Sequence, residues 1–145
     1  MVYKKAFLFP GQGSQYIGMG KALCEKYDIA KRTFEEADEA LGFSLSELCF
    51  KGDLTELTLT KNAQPAILTT SVATFRVLQE KGIRPELMAG HSLGEISALT
   101  CAGVFTFADA VRLAQKRGEL MQQAVPTGQG AMAAVMTRDI QRLEE

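Results

Sequence analysis

Cysteine and histidine are scarce in this sequence. Cys24, Cys49 and Cys101 are odd in number and widely spaced, with no C-x-x-C among them. Such a set argues against a disulfide framework or a structural zinc site. It reads as reduced core thiols of a cytoplasmic protein. No basic run exceeds two residues and the net charge is -1, so nothing in the total points to nucleic acid. No apolar run approaches the ~20 residues of a membrane span. Met1 to Lys5 leads into only Ala6-Phe7-Leu8-Phe9 before Pro10, which is too short for a secretory leader. There is no internal repeat and no low-complexity segment. What is present, 46% hydrophobic and 23% charged residues over 145 positions, suits one core-bearing domain.

Gly90-His91-Ser92-Leu93-Gly94-Glu95 organises the rest. A short apolar run, Leu87-Met88-Ala89, precedes it, and a helical pattern through Ile96, Leu99 and Thr100 follows. Strand, sharp turn with serine at its tip, then helix is the nucleophile elbow G-x-S-x-G. Strand and helix approach so closely that a Cβ two residues either side of the serine would clash, hence Gly90 and Gly94. Ser92 is then exposed at the positive end of the helix, where the Leu93 N–H points at a developing oxyanion. A glycine-rich turn with a helix-capping serine is the plainer alternative.

Ala6 to Phe9 is an apolar run without alternation and reads as a strand buried on both faces of a parallel sheet. It breaks at Pro10-Gly11-Gln12-Gly13-Ser14-Gln15. A dinucleotide loop is excluded there, because the third glycine would fall at Tyr16 and no acid-terminated strand follows at the right distance. The loop instead offers backbone N–H groups above the C-terminal end of the strand. Ala30, Phe34, Ala37 and Leu41 share one helix face that Gly42 ends. Ser44 with Glu47, and Asp53 with Glu56, are N-terminal capping signals. Pro65 is expected near the start of a long helix, where a missing N–H costs nothing. Ile67, Leu68, Val72, Phe75 and Leu78 form that helix's stripe and Gly82 closes it. Thr106 with Asp109 caps a helix running to about Gln123. Pro126 to Gly130 is the strongest linker. Residues 131–136 read as a strand, and a further helix opens at Arg138.

Three strands cannot cover six or more helices. The expectation is therefore a front part of a longer protein.

The helix from Phe107 carries one misplaced charge. On a wheel of ~100° per residue, Phe107, Ala110, Val111, Leu113, Ala114, Gly118, Leu120 and Met121 fill one arc. Arg117 falls inside it. A guanidinium there costs several kcal/mol unless paired, and it grips a carboxylate with two parallel bonds. Either a structural acid elsewhere or a ligand supplies that carboxylate. A serine nucleophile also needs a base. His91, the sole histidine, sits beside Ser92, where neighbouring side chains diverge. With no other base in sight, the chain by itself is expected to be nearly inactive.

Taken together, Phe9-Pro10-Gly11-Gln12-Gly13-Ser14-Gln15, Gln64-Pro65-Ala66, Gly90 to Glu95 and Lys116-Arg117-Gly118-Glu119-Leu120-Met121 resemble the malonyl-CoA:acyl-carrier-protein transacylases in order and spacing. That family includes the fatty acid synthesis enzymes and polyketide synthase acyltransferases. The resemblance implies that Ser92 takes malonyl from coenzyme A as an ester, with no bound cofactor. It implies Leu93 and Gln12 as oxyanion-hole donors and Arg117 as the malonyl carboxylate's binder. The phosphopantetheine thiol of an acyl carrier protein would accept the acyl group. It implies an α/β fold. Residues 1–126 would be the N-terminal part of an α/β-hydrolase-like large subdomain with an incomplete parallel sheet. Residues 127–145 would be the linker and start of a ferredoxin-like small subdomain. The catalytic base would lie beyond residue 145, in a C-terminal remainder. Two other functions keep their place: a serine esterase or acyl hydrolase, to which a carboxylate-binding Arg117 gives no advantage, and a non-catalytic assembly subunit.

Overall fold

The computed structural model describes residues 5–124 together with 135 and 136. Within them, β1 (Ala6–Phe9) and β2 (Leu87–Gly90) pair in parallel, from Ala6 opposite Leu87 to Phe9 opposite Gly90. Between them run α1 (Lys21–Lys26), α2 (Asp28–Leu41), α3 (Leu45–Lys51), α4 (Leu54–Thr58) and α5 (Thr60–Glu80). After β2 come α6 (Leu93–Cys101) and α7 (Phe107–Ala124). The result is an α/β fold with a short parallel sheet.

Local chemistry sets most of the boundaries. The Ser44 Oγ accepts the Glu47 N–H at the start of α3, and the Asp53 carboxylate accepts the Thr55 and Glu56 N–H groups at the start of α4. Thr106 Oγ1 accepts the Asp109 N–H ahead of α7. Gly82, at φ 73, ends α5 in a Schellman motif, with the Ile83 N–H on the Leu78 carbonyl and the Gly82 N–H on that of Gln79. The short α1 carries no such signal: its N-cap is Gly20, with no side-chain cap, and sequence reading passes over it.

The core gathers around α5. Residues 62–69 of that helix are buried on every side. Ile67 and Leu68 pack with Phe34 and Ala37 of α2, Leu57 of α4, Leu93 of α6 and Val111 of α7. Burying a leucine or isoleucine side chain contributes roughly 1.5–3 kcal/mol. Cys49 lies in the same core, and all three cysteines are free thiols.

Three expectations need correcting. Pro65 does not sit at the start of α5 but six residues into it, because the helix begins at Thr60 directly after Leu59, the residue that ends α4. The Leu59 carbonyl takes the Asn62 and Ala63 N–H groups, which starts the helix a full turn before the proline. Second, β1 is not buried on both faces. Phe7 packs edge-on against Phe75 of α5, whereas Leu8 is 80% exposed and its neighbour Leu87 65%. The Phe7 side of the sheet faces α5 across an open groove, whereas the Leu8 and Leu87 side is bare among the described residues. Third, Leu113 and Leu120, placed in the apolar arc of α7, are exposed. The buried side of that helix centres on Phe107, Ala114 and Gly118, and both leucines lie about 120–140° from it, beside the charged arc. The 126/127 boundary, the linker at Pro126 to Gly130 and the helix from Arg138 lie outside the described residues. Of the strand expected at 131–136, only Val135 and Met136 are described, and neither is in a strand.

Candidate active site

Parallel pairing of Phe9 with Gly90 makes both strands end together, so the loops that follow them leave the sheet side by side. This is the end of a parallel sheet at which ligands bind. The elbow is drawn onto β1 by the His91 N–H, which donates to the Phe9 carbonyl. The packing leaves no room for side chains at its glycines. A Cβ on Gly90 would run into the Gly94 backbone, and one on Gly94 into the Phe9 carbonyl. Gly90 thus answers to the elbow's own helix, and Gly94 to the neighbouring strand.

Ser92 sits at φ 56 and ψ -105, the one non-glycine residue with positive φ among those described. Such a conformation costs of order 1–3 kcal/mol and persists only where the surroundings enforce it. Ser92 is exposed, and α6 starts at the next residue. Leu93 is buried while its N–H, the first of α6, has no acceptor among the described residues. The Gln12 N–H is likewise unengaged, whereas the adjacent Gly13 N–H is taken by the Gln15 side chain at 2.8 Å. The Gln12 side chain reaches away, donating to Thr60 Oγ1 at 3.2 Å.

Arg117 reaches the same place from α7. Its Nη2 donates to Ser92 Oγ at 3.0 Å and its Nη1 to Gln64 Oε1 at 2.8 Å. Among the described residues no carboxylate lies within ion-pairing distance of it, unlike Arg76, which pairs with Glu36 at 2.7 Å. The guanidinium comes close because α7 presses on α5 at Gly118, where a Cβ would meet the Thr60 carbonyl.

His91 does not join the constellation as a base. Its imidazole Nδ1 packs against Gly11, and no hydrogen bond links it to Ser92 among the described residues. No cluster of three potential metal-ligating side chains occurs among those residues. An open groove of about 450 Å³ lies elsewhere, lined by Phe7, Phe9, Ile67, Phe75 and Leu78 among others, and it takes in neither Ser92 nor Arg117.

Of the residues expected in the site, Ser92 is bonded to Arg117, Leu93 opens the helix directly after it, and Gln12 lies on the loop after β1, next to Gly11, which faces His91. Gln64, which enters from the sequence only within the Gln64-Pro65-Ala66 match and with no role, is fully buried and bonded to Arg117. The signal was available. Gln64 lies three and four residues before Ile67 and Leu68, a polar side chain on a buried face, just as Arg117 is.

A serine strained at the tip of a strand–turn–helix elbow, on a parallel sheet with helices packed against it, belongs to the α/β proteins with a nucleophile-elbow site. Residues 6–144 match the acyl transferase domain, and the chain belongs to that family. It is 59% identical over 142 residues to the malonyl CoA-acyl carrier protein transacylase of Bacillus subtilis strain 168, covering 98% of this chain and 45% of that protein. Its fold matches the acyl-carrier-protein S-malonyltransferase of Bartonella henselae with a TM-score of 0.92 at 48% identity, over 98% of this chain and 46% of that one. A malonyl-transacylase solved in complex with a type II polyketide synthase acyl-carrier protein matches with a TM-score of 0.84 at 52% identity, over 87% of this chain and 41% of that one. The chain thus spans about 45% of the length of the Bacillus relative. No described helix is long and apolar enough to cross a membrane.

Proposed function

We propose that this chain carries the nucleophile-bearing part of a malonyl-CoA:acyl-carrier-protein S-malonyltransferase of fatty acid or polyketide synthesis. The observation that carries the reading is the 3.0 Å bond from Arg117 to Ser92 Oγ. It sets a cation with no acid partner among the described residues beside a strained, exposed hydroxyl. A malonyl thioester has a reacting carbonyl and a free carboxylate two bonds apart, which suits that pair.

Ser92 Oγ attacks the thioester carbonyl carbon as a base takes its proton. Negative charge gathers on the carbonyl oxygen, and the Leu93 and Gln12 N–H groups donate to it. One such donor is worth about 10²–10³ in rate. Collapse breaks the C–S bond and expels coenzyme A as the thiol, leaving malonyl on Ser92. The carrier protein's phosphopantetheine thiol then attacks the ester, and Ser92 recovers its proton. Arg117 holds the malonyl carboxylate throughout. The base is assigned to the part of the relatives' length that this chain does not span. In the same reading the described residues belong to an α/β-hydrolase-like large subdomain, the ferredoxin-like small one begins near residue 127, and the three free thiols suit a reducing, cytoplasmic setting.

The test is acyl transfer by the full-length protein from malonyl-CoA and from acetyl-CoA to a phosphopantetheinylated carrier protein. Arg117→Ala is expected to lower malonyl transfer by about 10²-fold, as loss of a buried charge pair does, and to spare acetyl transfer. Malonyl transfer left intact while acetyl transfer weakens would refute the role of Arg117. Water as the preferred acceptor would favour an acyl hydrolase.

A further inference from the structure

We infer that Gln64 is a positioning residue that makes the site select carboxylated acyl groups, an inference that rests on the transferase reading above. Its side chain is fully buried, and an amide in that state costs free energy unless both of its ends are bonded. Both are. Gln64 Nε2 donates to the Met121 sulfur at 3.2 Å, and Gln64 Oε1 accepts from Arg117 Nη1 at 2.8 Å. The two partners lie four residues apart on α7, one helical turn, so α5 reads a single face of its neighbour. The amide has one workable orientation. Flipped, its NH₂ would face the guanidinium, donor against donor.

The choice of acceptor is the informative point. An acid at position 64 would hold Arg117 more strongly and also neutralise it. An amide oxygen fixes the planar fork and leaves its unit positive charge uncompensated. Ser92 Oγ, the other group on the fork, is neutral as well. Two of the five guanidinium N–H donors are thus spent on orientation, and the rest, with the whole charge, remain for an anion. Met121, a soft and weak acceptor, anchors the amide without adding charge. Gln64 touches neither the substrate nor the reacting atoms and acts through Arg117.

Gln64→Glu is the decisive variant because it keeps shape and reach and puts a negative charge beside Arg117, at the cost of the donor to Met121. In the full-length protein it should lower kcat/KM for malonyl-CoA roughly tenfold or more, a factor that each 1.4 kcal/mol of lost binding gives, mainly through KM. Acetyl-CoA should react within about twofold of wild type. A second measurement needs no turnover: the rate of phenylglyoxal modification of Arg117, followed by peptide mapping, with and without malonate. Malonate should protect Arg117 in the wild type and fail to protect it in Gln64→Glu. An unchanged malonyl-to-acetyl ratio with equal malonate protection would overturn the inference, as would an equal fall for both substrates. Malonate protection lost in the variant, in a protein that never forms a malonyl ester, would support the role of Gln64 and reject the transferase reading.

Discussion

Ser92 holds a conformation that glycine would hold without strain. Two opposing magnitudes decide what replacing it does. Relief of strain at φ 56 is of order 1–3 kcal/mol, whereas the extra unfolded-state freedom of glycine costs about 0.5–1 kcal/mol. Relief wins, so Ser92→Gly should be more stable than Ser92→Ala, which keeps the Cβ. Both lose the bond from Arg117, and that loss cancels in the comparison. Denaturant midpoints check this, and an alanine variant at least as stable as the glycine one would contradict it. Cys49 gives a pH dependence of known sign. Burial, with a lesser push from the Asp38 carboxylate, raises its thiol from an ordinary 9.0 to about 12. A group that binds its proton more tightly in the folded state stabilises the fold fully below pH 9, and that contribution is lost as pH climbs from 9 towards 12. Thermal melts across this window should fall less steeply for Cys49→Ala than for wild type. Identical slopes would exclude the thiol as the cause.

At the scale of elements, the elbow depends on a glycine that serves the neighbouring strand. Gly94→Ala drives a Cβ into the Phe9 carbonyl, backbone against backbone, with no flexible side chain to yield. Overpacking of this kind costs typically 1–3 kcal/mol. Separation of β1 from β2 would also break the His91 N–H bond to the Phe9 carbonyl that holds the elbow in place, so reactivity at Ser92 should fall along with stability. Chemical denaturation read beside Ser92 acylation checks both, and a variant as stable and as reactive as wild type would contradict the packing. The elements also show what a sequence discloses. Caps and stops were legible, since Ser44, Asp53, Thr106 and Gly82 act through groups within a few residues. The elbow was legible for the same reason. The true start of α5 was not, because it depends on the carbonyl of Leu59 and on the end of α4, with no side-chain cap to announce it. The bare face of β1 was not either, since an apolar run states that a residue prefers burial and does not name its cover. In the site, Arg117 stood out as a charge on a buried face, while Gln64, with the same address and no charge, did not.

Across the whole molecule, the described residues set an exposed serine, two unengaged N–H donors and a guanidinium without an acid partner at one end of a two-stranded sheet, which the proposed function uses as nucleophile, oxyanion donors and anion clamp. The apolar surfaces of Leu8, Leu87, Leu113 and Leu120 stay exposed, in a chain spanning 45% of the length of its Bacillus relative. The account stands on Ser92 as the residue that carries the acyl group. The most direct measurement is to mix the full-length protein with malonyl-CoA, quench in acid and map the modified peptide by mass. The prediction is a malonyl ester on Ser92, absent from Ser92→Ala and discharged by the carrier-protein thiol. A malonyl group on any other residue, or transfer that proceeds undiminished in Ser92→Ala, would contradict it.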